Sequence, residues 1–128
     1  MQRFGELEAA IMEVVWGAGD SLLVREVLHR LDRDPVPAFT TVQTVMNILH
    51  GKGWLERDLD GRAYRYRATA TREDYVAGLM RHALDETADR GAALARFVDG
   101  MAPNELAELT ERLAAARTRN AEREGEST

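Results

Sequence analysis

A chain of 128 residues, 45% hydrophobic and 30% charged, has the size and composition of an ordinary soluble domain. The absence of cysteine excludes disulfides, thiolate metal clusters and cysteine nucleophiles. No apolar run approaches the ~20 residues of a membrane span, and "MQRFGELEAA" lacks the basic-then-apolar layout of a signal peptide, so a cytoplasmic protein without membrane insertion is expected.

The net charge of −5 argues against an indiscriminate polyanion binder, but it is unevenly spread. Residues 1–37 carry 4 Arg against 7 acids (net −3), residues 38–72 carry 6 Lys and Arg against 3 acids (net +3), and residues 73–128 carry 7 against 12 (net −5). A polyanion would dock on the middle block.

In chain order, "FGELEAAIMEVVW" sets Leu7, Ala10, Ile11, Val14 and Val15 on one face of a first helix that "GAGD" ends. "LLVREVLHRL" puts Leu23 or Val24, Val27, Leu28 and Leu31 on a second stripe, with Asp20 or Ser21 as N-cap, and the prolines of "DRDPVPA" break it. "TTVQTVMNIL" is rich in β-branched residues, yet Val42, Val45, Met46 and Leu49 fall at i, i+3, i+4 and i+7. That is a helix stripe, which "GKG" stops.

Then the period changes. "WLERDL", an Asp-Gly turn and "RAYRYRA" read as a β-hairpin with a basic face, in which Tyr64 and Tyr66 alternate with Arg65 and Arg67. "TREDYVAGLMRHAL" reopens helix with Thr71 and Asp74 in capping positions; "AALARFVDGM" and "PNELAELTERLAAARTR" supply two more helices, and "NAEREGEST" has the composition of a disordered tail. The expected fold is mainly α with a small β-hairpin wing. Its parts are a winged helix-turn-helix over residues 1–70, a helical dimerisation region over 71–119 and a disordered tail over 120–128. Tyr75, Leu79, Phe97, Val98, Leu106, Leu109 and Leu113 are the apolar residues expected between subunits, because helices this small cannot cover both sides of every stripe.

Behind the apolar stripe of the third helix lie Thr40, Thr41, Gln43, Thr44 and Asn47, none of them charged, where a solvated face would carry Glu, Lys and Arg. Gln and Asn pair with adenine, and Thr bonds base edges or touches a thymine methyl, so these five are the expected base readers in a major groove. Lys52, Arg57, Arg62, Arg65 and Arg67 are the expected phosphate contacts of the wing. A merely polar helix surface and a solvated basic hairpin are the plainer alternatives for the two features.

"FTTVQTVMNILHGKGWLERDLDGRAYRYRAT", preceded by "GELEAAIMEVVW" and "VREVLHRL", resembles the BlaI/MecI penicillinase-repressor family of bacteria, over nearly the whole chain. The resemblance implies a homodimeric repressor on a palindromic double-stranded DNA operator, controlling β-lactamase or related cell-wall-stress genes and thereby antibiotic resistance. It also implies release through a membrane sensor-protease pathway, by cleavage at an Asn-Phe bond that matches Arg96-Phe97 here. Two positions depart from the family pattern: Arg96 replaces that Asn, and Ile48 stands where relatives usually carry Arg. The copper-responsive relatives bind metal through C-terminal cysteines, which this chain lacks.

His29, His50 and His82 share no ligand spacing, so no metal or other cofactor is expected. For Trp54, Tyr64 and Tyr66 there are two readings, stacking on exposed bases and core aromatics beside a small hairpin, the second being the commoner. No nucleophile-base pair, carboxylate pair or phosphate loop is legible, so no catalytic residues are assigned and an enzyme is not expected. The rival reading is a winged-helix module that binds protein without specific DNA binding.

Overall fold

Glu6 and Glu8 in the first turn suit the positive end of a helix dipole, and Gly19, at φ 73°, takes the left-handed conformation that closes the same helix. In the computed structural model, which describes residues 3–126, this is α1, Glu6–Ala18. It is followed by β1 (Leu22–Leu23), α2 (Val24–Arg30), α3 (Phe39–Gly51), β2 (Leu55–Asp60), β3 (Ala63–Ala68), α4 (Arg72–Leu84), α5 (Arg90–Asp99) and α6 (Pro103–Glu126). The order of helices, turn and hairpin is that of a winged helix-turn-helix followed by a helical region.

The start of α2 differs from expectation. Asp20 and Ser21 do not cap it; Leu22 and Leu23 first run as a short strand antiparallel to β3, opposite Tyr66 and Arg65, and the helix begins at Val24. A two-residue strand carries no periodic signal. Both leucines are buried and pair with the edge of β3. Glu26 then reaches back to accept from the Leu23 N–H at 2.9 Å. The wing is thus a three-stranded sheet in the order β1-β3-β2.

The hairpin turn is also shifted by one residue. Asp60 pairs with Ala63, so the central residues are Gly61 and Arg62 instead of Asp60 and Gly61. Gly61 has φ 67° and Arg62 a negative φ, the sign pattern of a type II′ turn, whose twist matches that of the flanking strands.

The apolar faces meet in one core. Ile11, Met12 and Val15 of α1 join Val27 of α2, Val42, Met46 and Leu49 of α3, and Leu55 and Tyr66 of the sheet. Each such aliphatic side chain, fully removed from water, contributes roughly 1.5–3 kcal/mol. The stripe read from the sequence on α3 is therefore its inner face, and the polar stripe faces out.

The chain forms two compact units that divide between Ala83 and Leu84, not at residue 70. The physical reason is a set of contacts that fasten α4 to the first unit. Tyr75 stacks on Phe4 with ring centroids 4.2 Å apart and planes 2° from parallel, Trp54 meets both rings edge-on, and Tyr75 Oη accepts from the Phe4 N–H at 2.8 Å. Arg72 grips Glu13 of α1 through two hydrogen bonds of 3.0 and 2.5 Å. The expected cap of α4 is present: Asp74 N–H donates to Thr71 Oγ1, and Thr71 N–H to the Asp74 carboxylate.

In the second unit Asp89 caps α5 and Glu105 caps α6. Neither helix has a fully buried side chain, and Leu94, Phe97 and Leu113 are about half exposed. Residues 120–126, assigned from composition to a disordered tail, continue α6. Ala121, Glu122, Arg123 and Glu124 are strong helix formers and extend it without an apolar face. Residues 127 and 128 of that tail lie outside the described residues.

Candidate nucleic-acid interface

The outer face of α3 presents Thr40, Thr41, Gln43, Thr44 and Asn47, all exposed, as the expected reading face requires. Their chemistry is not uniform. The Thr44 hydroxyl donates to the Thr40 carbonyl at 2.8 Å, a back-bond along the helix that commits its proton. Asn47 Oδ1 accepts from Arg57 Nη1 at 2.9 Å and from Tyr66 Oη at 2.8 Å. Because Arg has only donors, the amide oxygen must face it, and only the Asn47 NH2 remains for a ligand. The two-bond pairing of Asn with adenine therefore does not fit Asn47 as it stands. Gln43 has no hydrogen-bond partner among the described residues and keeps both amide atoms for a base edge.

Strand register divides the wing into two unlike faces. Glu56 pairs with Arg67 and Asp58 with Arg65 across β2 and β3, so acids and bases share one face. Arg67 bonds Glu56 at 2.7 Å and Asp58 at 2.6 Å; Arg65 bonds Asp60 at 2.7 Å and also reaches Glu26 of α2 and the Ser21 carbonyl. The hydrogen bonds from Asp58 and Glu56 raise the already high pKa of Arg67, and the bond to Asp60 does the same for Arg65. The face expected to be basic is thus a neutralised ladder.

On the other face Leu55, Arg57 and Leu59 of β2 lie opposite Ala68, Tyr66 and Tyr64 of β3. The Arg57 guanidinium sits 4.2 Å above the Tyr64 ring. Arg57 has only neutral partners, and Arg62, at the turn, has no ion-pair partner among the described residues. Lys52, at the end of α3, is held by Glu8 of α1 at 2.9 Å. Of the five expected phosphate contacts, Arg57 and Arg62 have no carboxylate partner among the described residues, whereas Lys52, Arg65 and Arg67, each more than a third exposed, are ion-paired within the chain.

Between α3 and the wing runs a groove of about 610 Å³ lined by Phe39, Gln43, Arg62, Tyr64 and Arg65. Tyr64, 38% exposed, is not a core aromatic; Tyr66, 2% exposed, is one, and Trp54 is half-buried. Phe39 and Tyr64 line this groove beside the expected base reader Gln43. Tyr64 shares a face with Arg57 and Leu59, a relation that pairing the two strands across the turn makes legible.

Residues 4–115 match the family described as Penicillinase repressor. The chain belongs to the penicillinase repressor family. Membership makes it a DNA-binding transcriptional repressor, not an enzyme. The transcriptional regulator BlaI of Mycobacterium tuberculosis, in strains CDC 1551 and H37Rv, is 37% identical over 117 residues, 89% of this chain and 85% of that protein. The solution structure of the DNA-binding domain of the repressor BlaI is 27% identical with a TM-score of 0.49, covering 59% of this chain and 94% of that one. The crystal structure of Streptococcus pneumoniae FabT in complex with DNA is 19% identical with a TM-score of 0.45, covering 93% of this chain and 77% of that one. No helix of this penicillinase-repressor relative is long and apolar enough to cross a membrane, among the described residues.

Proposed function

We propose that the protein represses transcription as a homodimer on a palindromic operator, with α3 of each subunit in a major groove and the wing along the flanking backbone. The observation that carries this reading is one continuous surface. The uncharged outer face of α3, with the Gln43 amide unpartnered, adjoins a wing on which Arg57 and, at the turn, Arg62 have no carboxylate partner among the described residues. Base edges need neutral donors and acceptors, and phosphates need uncompensated cations.

Dimerisation is supported by the second unit, whose α5 and α6 leave Leu94, Phe97 and Leu113 about half exposed and Val98, Leu106 and Leu109 partly so. Tyr75 is used inside its own chain, against Phe4, which removes one ring face from any interface. Leu79 is partly buried on α4 and stays with the proposed contact surface.

The family resemblance extends this reading to β-lactamase or related cell-wall-stress genes; release by cleavage at Arg96-Phe97 in a membrane sensor-protease pathway would act at a bond where Arg96 replaces the family Asn. Phe97 is 56% exposed, but the bond lies inside α5, so the helix must unwind locally before a protease accepts it.

Footprinting on genomic fragments captured by the protein tests this function. A dyad-symmetric protected site with half-sites about 10 base pairs apart, or a multiple of that, is the expected result. Equal binding to all duplexes at every salt concentration would leave the protein-binding alternative in its place.

A further inference from the structure

The outer face of α3 has two flanks of different chemistry. On the wing side stand Gln43 and Asn47, amides beside Arg57 and Tyr64. On the other stand Thr41, Thr44 and Ile48, spaced i, i+3 and i+7 and therefore in one row along the helix. Ile48 is 46% exposed, while the inward residues Val42, Met46 and Leu49 are completely buried. A single exposed isoleucine is ordinary on a protein surface. Here a second observation accompanies it: the Thr44 hydroxyl donates its hydrogen bond to the Thr40 carbonyl, so the row presents one donor fewer and keeps its methyl.

We propose that the row of Thr41, Thr44 and Ile48 reads thymine C5-methyl groups in the operator half-site, with Ile48 as the specificity-determining contact. This deepens the operator-binding function proposed above and rests on it. The methyl of thymine is the apolar feature that the four standard bases offer in the major groove. Against cytosine, the same isoleucine would cover the N4 amino donors without accepting from them, and against purines it would cover N7 without donating. Burying those groups unpaired disfavours the alternatives, so the row selects thymine both by contact and by exclusion. Thr41 and Ile48 lie seven residues, about 10 Å, apart along the axis, a span of about three base-pair steps.

The test starts from duplexes that the full-length protein selects from a randomised library. In the best of these, each thymine is replaced singly by uracil, which removes only the methyl, and dissociation constants are measured for wild type and Ile48→Ala. Expected is at least one thymine per half-site whose replacement weakens wild-type binding about fourfold, the equivalent of one buried methyl group. That sensitivity should fall to less than twofold in Ile48→Ala, which keeps its fold because the side chain lies outside the core. Uracil tolerated within twofold at every position would overturn the inference and leave the operator-binding function standing. Full uracil sensitivity retained in Ile48→Ala would equally overturn the assignment to Ile48. A library that yields no enriched duplex would overturn both readings together.

Discussion

Tyr66 Oη donates to Asn47 Oδ1 at 2.8 Å, joining the buried centre of the wing to the outer face of α3. The tyrosine ring is 2% exposed, so Asn47 satisfies a core hydroxyl and, through the same oxygen, orients Arg57. Asn47→Ala should therefore destabilise the first unit by about 1–3 kcal/mol, the cost of an unsatisfied buried polar group. In a Tyr66→Phe background the same change should cost clearly less. Urea unfolding of the four proteins forms the cycle. Equal losses in both backgrounds would show that the hydrogen bond does not couple the pair.

The two wing faces should separate in their salt dependence. Arg57→Ala and Arg62→Ala should each flatten the slope of log affinity against log salt by about 1, because each removes one phosphate contact. Arg67→Ala frees Glu56 and Asp58 and should weaken binding with a smaller change in slope. Arg65→Ala should lower stability as well, since it cuts the link from β3 to Asp60, Glu26 and the Ser21 carbonyl. Filter binding across a salt series, with unfolding curves on the same proteins, gives the comparison. Four equal slopes would erase the distinction between the faces.

Leu113 is 55% exposed within its own chain, so Leu113→Asp should leave the single subunit folded. In a dimer built on α6 it would instead bury an unpaired charge, at a cost of several kcal/mol. The variant should sediment as a monomer with an unchanged helical signal. Operator affinity should fall toward that of one half-site, because the linked second binding event is lost. A dimer of wild-type strength would move the interface off this stretch of α6.

Glu8 links pH to stability. Burial pushes its carboxyl up, but hydrogen bonds from Lys52 Nζ and the Gly5 N–H, with the Lys52 charge, outweigh that and hold it below the ordinary 4.5. A depressed carboxylate stabilises the folded state fully above its unfolded value, and that contribution is lost as pH falls through 4.5 and then through the folded value. Glu8→Gln should thus be less stable than wild type at neutral pH, with the gap closing as pH drops below about 4.5. Urea midpoints across pH 3 to 7 would reveal it. A gap independent of pH would mean that the carboxylate charge contributes nothing.

Periodicity alone located α1, α3 and α4, because an amphipathic stripe of four or five apolar residues is written directly in residue spacing. It likewise placed Thr40, Thr41, Gln43, Thr44 and Asn47 outside the core, and the basic block marked the wing. What these side chains do there was decided by tertiary structure. Whether Asn47 faces a base or holds Tyr66, and which carboxylates Arg65 and Arg67 bond, depends on contacts between elements that residue spacing along one strand does not record. The extent of the first unit followed the same rule. The stacking of Phe4 on Tyr75 joins residues 71 positions apart, and contacts at that separation leave no pattern in local sequence because each partner reads only as an apolar residue on its own helix or loop.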